Sequence, residues 1–204
     1  AGGAGLRAAI EASAAGVSVG LICKSLLGKA HTVMAEGGMA AAMGNVDGRD
    51  NWKVHFRDTM RGGKFLNQWR MAELHAREAP DRVWELETYG ALFDRTKDGR
   101  ILQRDFGGHR YARLAHVGDR TGLEMIRTLQ QHAVHLGIDV FMECTVNRLL
   151  KDGDRVAGAV ALLGSYDAVS GASAGVSGLV KYSGSTPVGT PTFDVAEPMG
   201  QAFR

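Results

Sequence analysis

His31 stands in the stretch GKAHTVMAEGGMAAAMGN, residues 28–45, between an apolar run and a string of small residues. The stretch holds no second histidine and no cysteine, and its one acid is Glu36, so it is a poor metal site. On residue type alone, a loop histidine that hydrogen-bonds backbone is the ordinary reading. A second group with chemistry in it lies at the start of the chain, AGGAGLRAAIEASAAG. Gly2, Gly3 and Gly5 lead straight into a helical pattern. With one glycine restored before Ala1 the motif reads (G)-A-G-G-A-G. In such a loop the second glycine lets backbone approach a pyrophosphate, and the third lets helix and strand pack closely. The helix N-terminus then faces the phosphates. An Asp or Glu normally ends the second strand of this unit to hold a ribose. Cys23-Lys24 occupies that place, which argues against a standard NAD site.

The elements that must position these groups follow from periodicity. Leu6, Ala9, Ile10 and Ala14 have helical spacing, and Gly16 marks a stop. VSVGLIC reads as a buried strand. The first strand of the βαβ unit is expected to fall before Ala1. Residues 49–62 form an amphipathic helix with Trp52, Phe56 and Met60 on its core face. Residues 68–88 form another, with Trp69, Leu74, Val83, Trp84 and Leu86 apolar, and Pro80 divides it or starts a new helix. RTKDGRILQRDFGGHR reads as a hairpin turning at Asp98-Gly99. Residues 121–136 are helical with Leu123, Ile126, Leu129, Ala133 and Leu136 inward, and Asp119 or Thr121 is the N-cap. Residues 138–163 read as a second hairpin around DGD. After Leu163 the chain turns rich in glycine and serine and shows no sustained period. Residues 164–204 are expected to be disordered and foreign to the preceding fold.

Composition narrows the function. The 204 residues carry a net charge of +2 and no Lys/Arg block, which excludes a nucleic-acid partner. Cys23 and Cys144 form neither a disulfide framework nor a zinc set, and fit a reducing compartment. Cys144 reads as a buried small apolar residue. His109, His116, His132 and His135 lack a metal-like arrangement and read as surface residues. No apolar run reaches membrane-spanning length.

Together these features resemble the flavoprotein subunit of succinate dehydrogenase and fumarate reductase. The motifs come in one order: Lys24 at a strand end, His31-Thr32, Glu36-Gly37-Gly38, Gly44-Asn45, then DNWKVHFRDTMRGG, EAPDRVWELETYGALFDRTKDGRILQRDFGGH and DRTGLEMIRTL. The resemblance covers residues 1–163. It implies an α/β fold: an incomplete Rossmann-like FAD-binding domain with inserted helices and β-hairpins. It implies FAD as cofactor, joined covalently through its 8α-methyl to His31, a neutral imidazole being a competent nucleophile. Gly2, Gly3, Gly5, Cys23, Lys24, Ser25, Ala30, His31, Thr32, Glu36, Gly37 and Gly38 are the implied FAD-binding residues. Gly37-Gly38 is expected to let backbone approach the flavin ring. Phe106 and Gly107 are the implied flavin and substrate neighbours, with a core Phe at a hairpin end as the plainer reading.

The resemblance further implies succinate–fumarate interconversion, a dicarboxylate substrate, and electron transfer through an iron-sulfur subunit to a quinone. A membrane-anchor subunit would hold the protein peripherally at the cytoplasmic face of the membrane. The proton-donating arginine and the substrate-binding histidines and arginines of the family lie beyond this chain, so no catalytic residue is assigned and residues 1–204 alone are expected to be inactive. The alternatives are a relative with noncovalent FAD, such as an L-aspartate oxidase or a soluble fumarate reductase, and a non-enzymatic fragment.

Overall fold

The computed structural model describes residues 1–166, 173–183 and 192–196, with side chains through residue 162. The chain divides into two compact units, Ala1–Lys29 with Ala133–Arg204, and Ala30–His132.

In the first unit, α1 spans Gly3–Ala14 and buries Leu6, Ala9 and Ile10 of the predicted stripe, while Ala14 is exposed at the helix end. Gly16, at φ +78, ends it. Strand β1, Gly20–Ile22, pairs in parallel with β5, Asp139–Phe141. β1 is shorter than VSVGLIC and is not buried: Val17 is 58% exposed and Ile22 36%. Among the described residues β5 is its one strand partner, and a parallel strand is fully covered only with neighbours on both edges and helices on both faces. Residues 138–141 therefore belong to this parallel pair and not to the second hairpin. That hairpin is β6, Cys144–Asp152, and β7, Arg155–Tyr166, turning at Gly153, φ +60.

Two further strands, β8 (Ser173–Ser183) and β9 (Thr192–Ala196), extend the sheet in the order β6-β7-β8-β9, all antiparallel. Composition alone predicts no regular element there. Val176, Val180, Thr192 and Val195 supply β-branched residues, and β7 supplies an edge whose backbone groups need partners. The expectation of disorder for the rest of the tail lies outside the described residues.

In the second unit, α2 spans Trp52–Gly62, and its N-cap Asn51 accepts hydrogen bonds from the amides of Lys53 and Val54. Its fully buried residues are His55 and Asp58; Trp52, Phe56 and Met60 are only half-buried, so the expected core stripe is rotated. Helix α3 spans Trp69–Thr88 and runs through Pro80 without a break. The proline removes one amide donor, but the packed face on either side holds the helix. That face is Ala72, Ala76, Ala79, Val83 and Leu86, while Trp69, Leu74 and Trp84 point to solvent. Helices α2 and α3 pack against each other, and small side chains on a helix face allow close approach.

Strands β2 (Met39–Ala40), β3 (Gln103–Arg104) and β4 (Leu114–Ala115) form an antiparallel sheet in the order β2-β4-β3. The turn at Asp98-Gly99 is present, with Gly99 at φ +85, but it closes a single bridge, Arg95 to Ile101. Helix α4, Thr121–His135, buries Ile126, Leu129 and Ala133 and leaves Leu123 exposed; Leu136, expected inward, falls just past its end and is exposed.

A polar node sits in this unit's core. Arg113, fully buried, reaches Asp50 (2.9 Å) and Asp58 (2.8 Å) through one Nη2. His55, 2% exposed, lies edge-on to the ring of His75 with centroids 5.2 Å apart, and His109 is 6.2 Å away. Burial, then the positive charge of Arg113, then His75 and His109 hold His55 down at about 3, with Asp58 opposing. His116 is also buried, its Nδ1 3.0 Å from Leu114 O and its Nε2 3.4 Å from Asp94, so it is not a surface residue.

Candidate functional site

The implied cofactor residues fall on both units, and each half has its own geometry. In the first unit Gly2 is the N-cap of α1, extended at φ −100 and ψ −175, with no side chain capping the helix and no acid in the first turn. The N-terminus of a helix carries the positive end of the helix dipole. A Cβ on Gly5 would meet no atom within 4 Å among the described residues, so the expected helix–strand contact at Gly5 is not made here. At the end of β1, Cys23 N donates to Phe141 O (2.8 Å) and Cys144 N to Cys23 O (2.8 Å). Both thiols are buried and free, and burial pushes the Cys144 thiol up. Lys24 and Ser25 follow, exposed, with Ser25 Oγ donating to Lys29 O at 3.1 Å.

In the second unit His31–Met34 form one 3₁₀ turn entered through extended Ala30. The His31 ring is exposed. The backbone that follows the turn is held from outside it. Gly122 N donates to Ala35 O at 2.7 Å. A Cβ on Gly122 would overlap Thr32 O and lie 2.9 Å from both N and O of Ala35, so only glycine fits. Arg104 reaches the next two carbonyls, Nη2 to Glu36 O (2.6 Å) and Nε to Gly37 O (2.8 Å), and its Nη1 meets Asp119 at 2.8 Å. Thr121, 1% exposed, accepts from Val117 N (3.1 Å) and donates to Glu36 O (3.5 Å). Asp119 and Thr121 are thus committed to these contacts; with α4 opening on Thr121, the N-cap position belongs to Arg120.

Gly38 is required to be glycine by the sheet. It sits at φ +124, and a Cβ there would lie 2.7 Å from Ala115 O and 3.0 Å from Leu114 Cβ. The glycine permits β2 to meet β4. Gly37 is different: its Cβ would make ordinary contact with the Phe106 ring at 3.5 Å. Phe106 is 57% exposed, so it is not a core residue; its ring lies against Gly37, and Gly107 beside it faces open space. The small-residue run after Gly38 is tied down by buried Gln103, which donates to Ala41 O (2.6 Å) and accepts from Asn45 N (3.0 Å).

Sequence reasoning missed Arg104, Gln103 and Gly122. Arg104 and Gln103 adjoin the Phe-Gly-Gly motif, and Gly122 ends Asp-Arg-Thr-Gly, so the motifs flagged their neighbourhood while the bond partners are distant in sequence. Among the described residues no group of His, Cys, Asp or Glu is arranged to hold a metal ion. No helix among them is long and apolar enough to cross a membrane.

Comparison with known proteins shows the family and the fold. The Sdh1 complex of Mycobacterium smegmatis in its apo form contains a chain that superposes with a TM-score of 0.77 at 66% identity, over 79% of this chain and 30% of that one. The fumarate reductase (CoM/CoB) of Methanothermobacter marburgensis has one subunit that is 46% identical over 160 residues, 78% of this chain and 29% of the relative. The succinate dehydrogenase flavoprotein subunit of Rickettsia bellii is 38% identical over 79% of this chain and 28% of its own length. The chain thus spans about three-tenths of the relatives it matches. Residues 1–177 match the family described as FAD binding domain, and the chain belongs to that family.

Proposed function

We propose that this chain is the FAD-holding segment of a flavoprotein subunit that interconverts succinate and fumarate. The observation that carries the reading is His31: an exposed residue on a 3₁₀ turn whose following carbonyls, Ala35 to Gly37, are held by Gly122, Thr121 and Arg104. A reactive side chain on a backbone held this firmly is what covalent attachment of a cofactor requires. The residues present fit FAD. Gly2, Gly3 and Gly5 at the start of α1 suit a diphosphate, with Lys24 adding positive charge and Cys23 and Ser25 completing the strand end. In the second unit Ala30, His31, Thr32, Glu36, Gly37 and Gly38 form the attachment segment, and the Phe106 ring with Gly107 offers an exposed apolar face beside it. FAD, when bound, supplies the two-electron redox chemistry. The protein's own part here is to bind the phosphates, hold the attachment turn still and present His31.

In this reading the dicarboxylate is the substrate, an iron-sulfur subunit takes the electrons onward to quinone, and a membrane-anchor subunit holds the assembly peripherally at the cytoplasmic face. The test uses the full-length flavoprotein that contains these residues. After acid denaturation yellow colour should stay with the protein, and it should leave in His31→Ala. Colour that leaves in both would refute covalent attachment and favour a noncovalent relative of the L-aspartate oxidase kind. A protein without any flavin before denaturation would refute the FAD reading itself.

A further inference from the structure

We propose that Gly122 and Arg104 are positioning residues for the attachment of flavin to His31, acting through the backbone of residues 32–37; the inference rests on the covalent reading above. Attachment forms one bond, from an imidazole nitrogen to the 8α carbon of the flavin. The imidazole proton and one methyl proton are released, the electron pair remains on the ring as reduced flavin, and dioxygen or another two-electron acceptor reoxidises it. None of this requires Gly122 or Arg104 to touch the flavin. It requires His31 to be held where the methyl group arrives.

Two restraints act on the segment, and a third contact links them. Gly122 N grips Ala35 O at 2.7 Å, and the absence of a Cβ lets the first turn of α4 press against Thr32 and Ala35. The Arg104 guanidinium takes two consecutive carbonyls, Glu36 and Gly37, at 2.6 and 2.8 Å, a fork geometry that a lysine cannot reproduce. Asp119 holds the remaining arm of Arg104 at 2.8 Å, linking the two restraints through the same Asp-Arg-Thr-Gly segment. The His31 ring itself is exposed, so the turn's position is set by these backbone bonds and not by burial of the ring.

The experiment compares wild type, Gly122→Ala, Arg104→Met and Arg104→Lys in the full-length flavoprotein. Total flavin is measured on the native protein, and the covalent fraction after acid precipitation. Arg104→Met keeps the length and apolar stem, so it serves if Gly122→Ala yields no folded protein. The expected result is total flavin near the wild-type level with a covalent fraction reduced about tenfold or more, consistent with the sensitivity of reaction to ångström-scale displacement. Arg104→Lys should fall between Arg104→Met and wild type. A covalent fraction unchanged in Arg104→Met overturns the proposal. So does loss of total flavin in parallel with the covalent fraction, which would give Arg104 a role in the fold alone. If wild type itself holds flavin without a bond, the covalent reading fails and the inference falls with it, an outcome visible before any variant is made.

Discussion

Lowering the pH from 7 to 5 should destabilise the protein through His55. The ring is 2% exposed and held at about 3 by burial and by the nearby positive charge of Arg113, so it is neutral in the fold throughout this range. In the unfolded chain it titrates near its ordinary value of about 6.5. The folded pKa is the lower one, so the unfolded state binds the extra proton. Stability is therefore lost as pH falls through about 6.5, and the loss continues until about 3, where the folded ring also protonates. Between pH 7 and pH 5 the linkage relation gives about 2 kcal/mol from this one residue. That figure depends only on the unfolded value and on the folded one lying below 5. His109, also lowered by burial and Arg113, adds a contribution of the same sign. The assay is urea unfolding of wild type and His55→Gln at pH 7 and pH 5. The substitution lowers stability at both pH values, but the drop between them should be about 2 kcal/mol smaller than in wild type. Equal drops in the two proteins would refute the argument, because they would mean that His55 takes up its proton in the fold as it does in the unfolded chain.

Arg113→Met should destabilise by about 3–5 kcal/mol, since it strands Asp50 and Asp58 in the core without their shared partner; urea unfolding at pH 7 checks this, and a loss under about 1 kcal/mol would show that the carboxylates find water. Burial already raises Asp50 from its ordinary value, so the Arg113→Met loss should shrink as pH falls toward 4 and the stranded carboxyl takes a proton. Gly38→Ala should destabilise by roughly 2 kcal/mol or more, from positive φ together with a clash against Ala115 O, while Gly37→Ala should change stability by under about 0.5 kcal/mol. Similar values for the two glycines would remove the claim that Gly38 serves the contact of β2 with β4.

The helices and the turns were legible because each rests on a local pattern, whereas the parallel pairing of Gly20–Ile22 with Asp139–Phe141 joins distant segments, the second of which reads locally as part of a hairpin. The Leu6-Ala9-Ile10 stripe needs only 3.6-residue spacing to mark its buried face, and the turns at Gly99 and Gly153 need only residues that accept positive φ. The ordered set of motifs from Lys24 to Gly122 carried the family, and with it the expectation that His31 is the attachment point. Where large apolar residues were assumed to face inward, the reading failed: α3 packs through Ala72, Ala76 and Ala79, and α2 buries His55 and Asp58. Hydropathy cannot rank an alanine above a tryptophan, yet close helix packing does. Nor does it predict a buried aspartate whose arginine partner lies 55 positions along the chain.

By itself, then, the sequence determined the type of chemistry on offer, because residue identity and short spacing are local properties: a glycine turn before a helix, and one histidine in a fixed motif context. Only the tertiary structure decided what each glycine and each charge is for. Gly38 serves a sheet contact, Gly122 makes room for the turn that carries His31, and Arg104 holds two carbonyls 68 and 67 positions away. Those roles depend on which backbone atoms arrive within bonding distance once the chain is folded, and no local pattern encodes that distance.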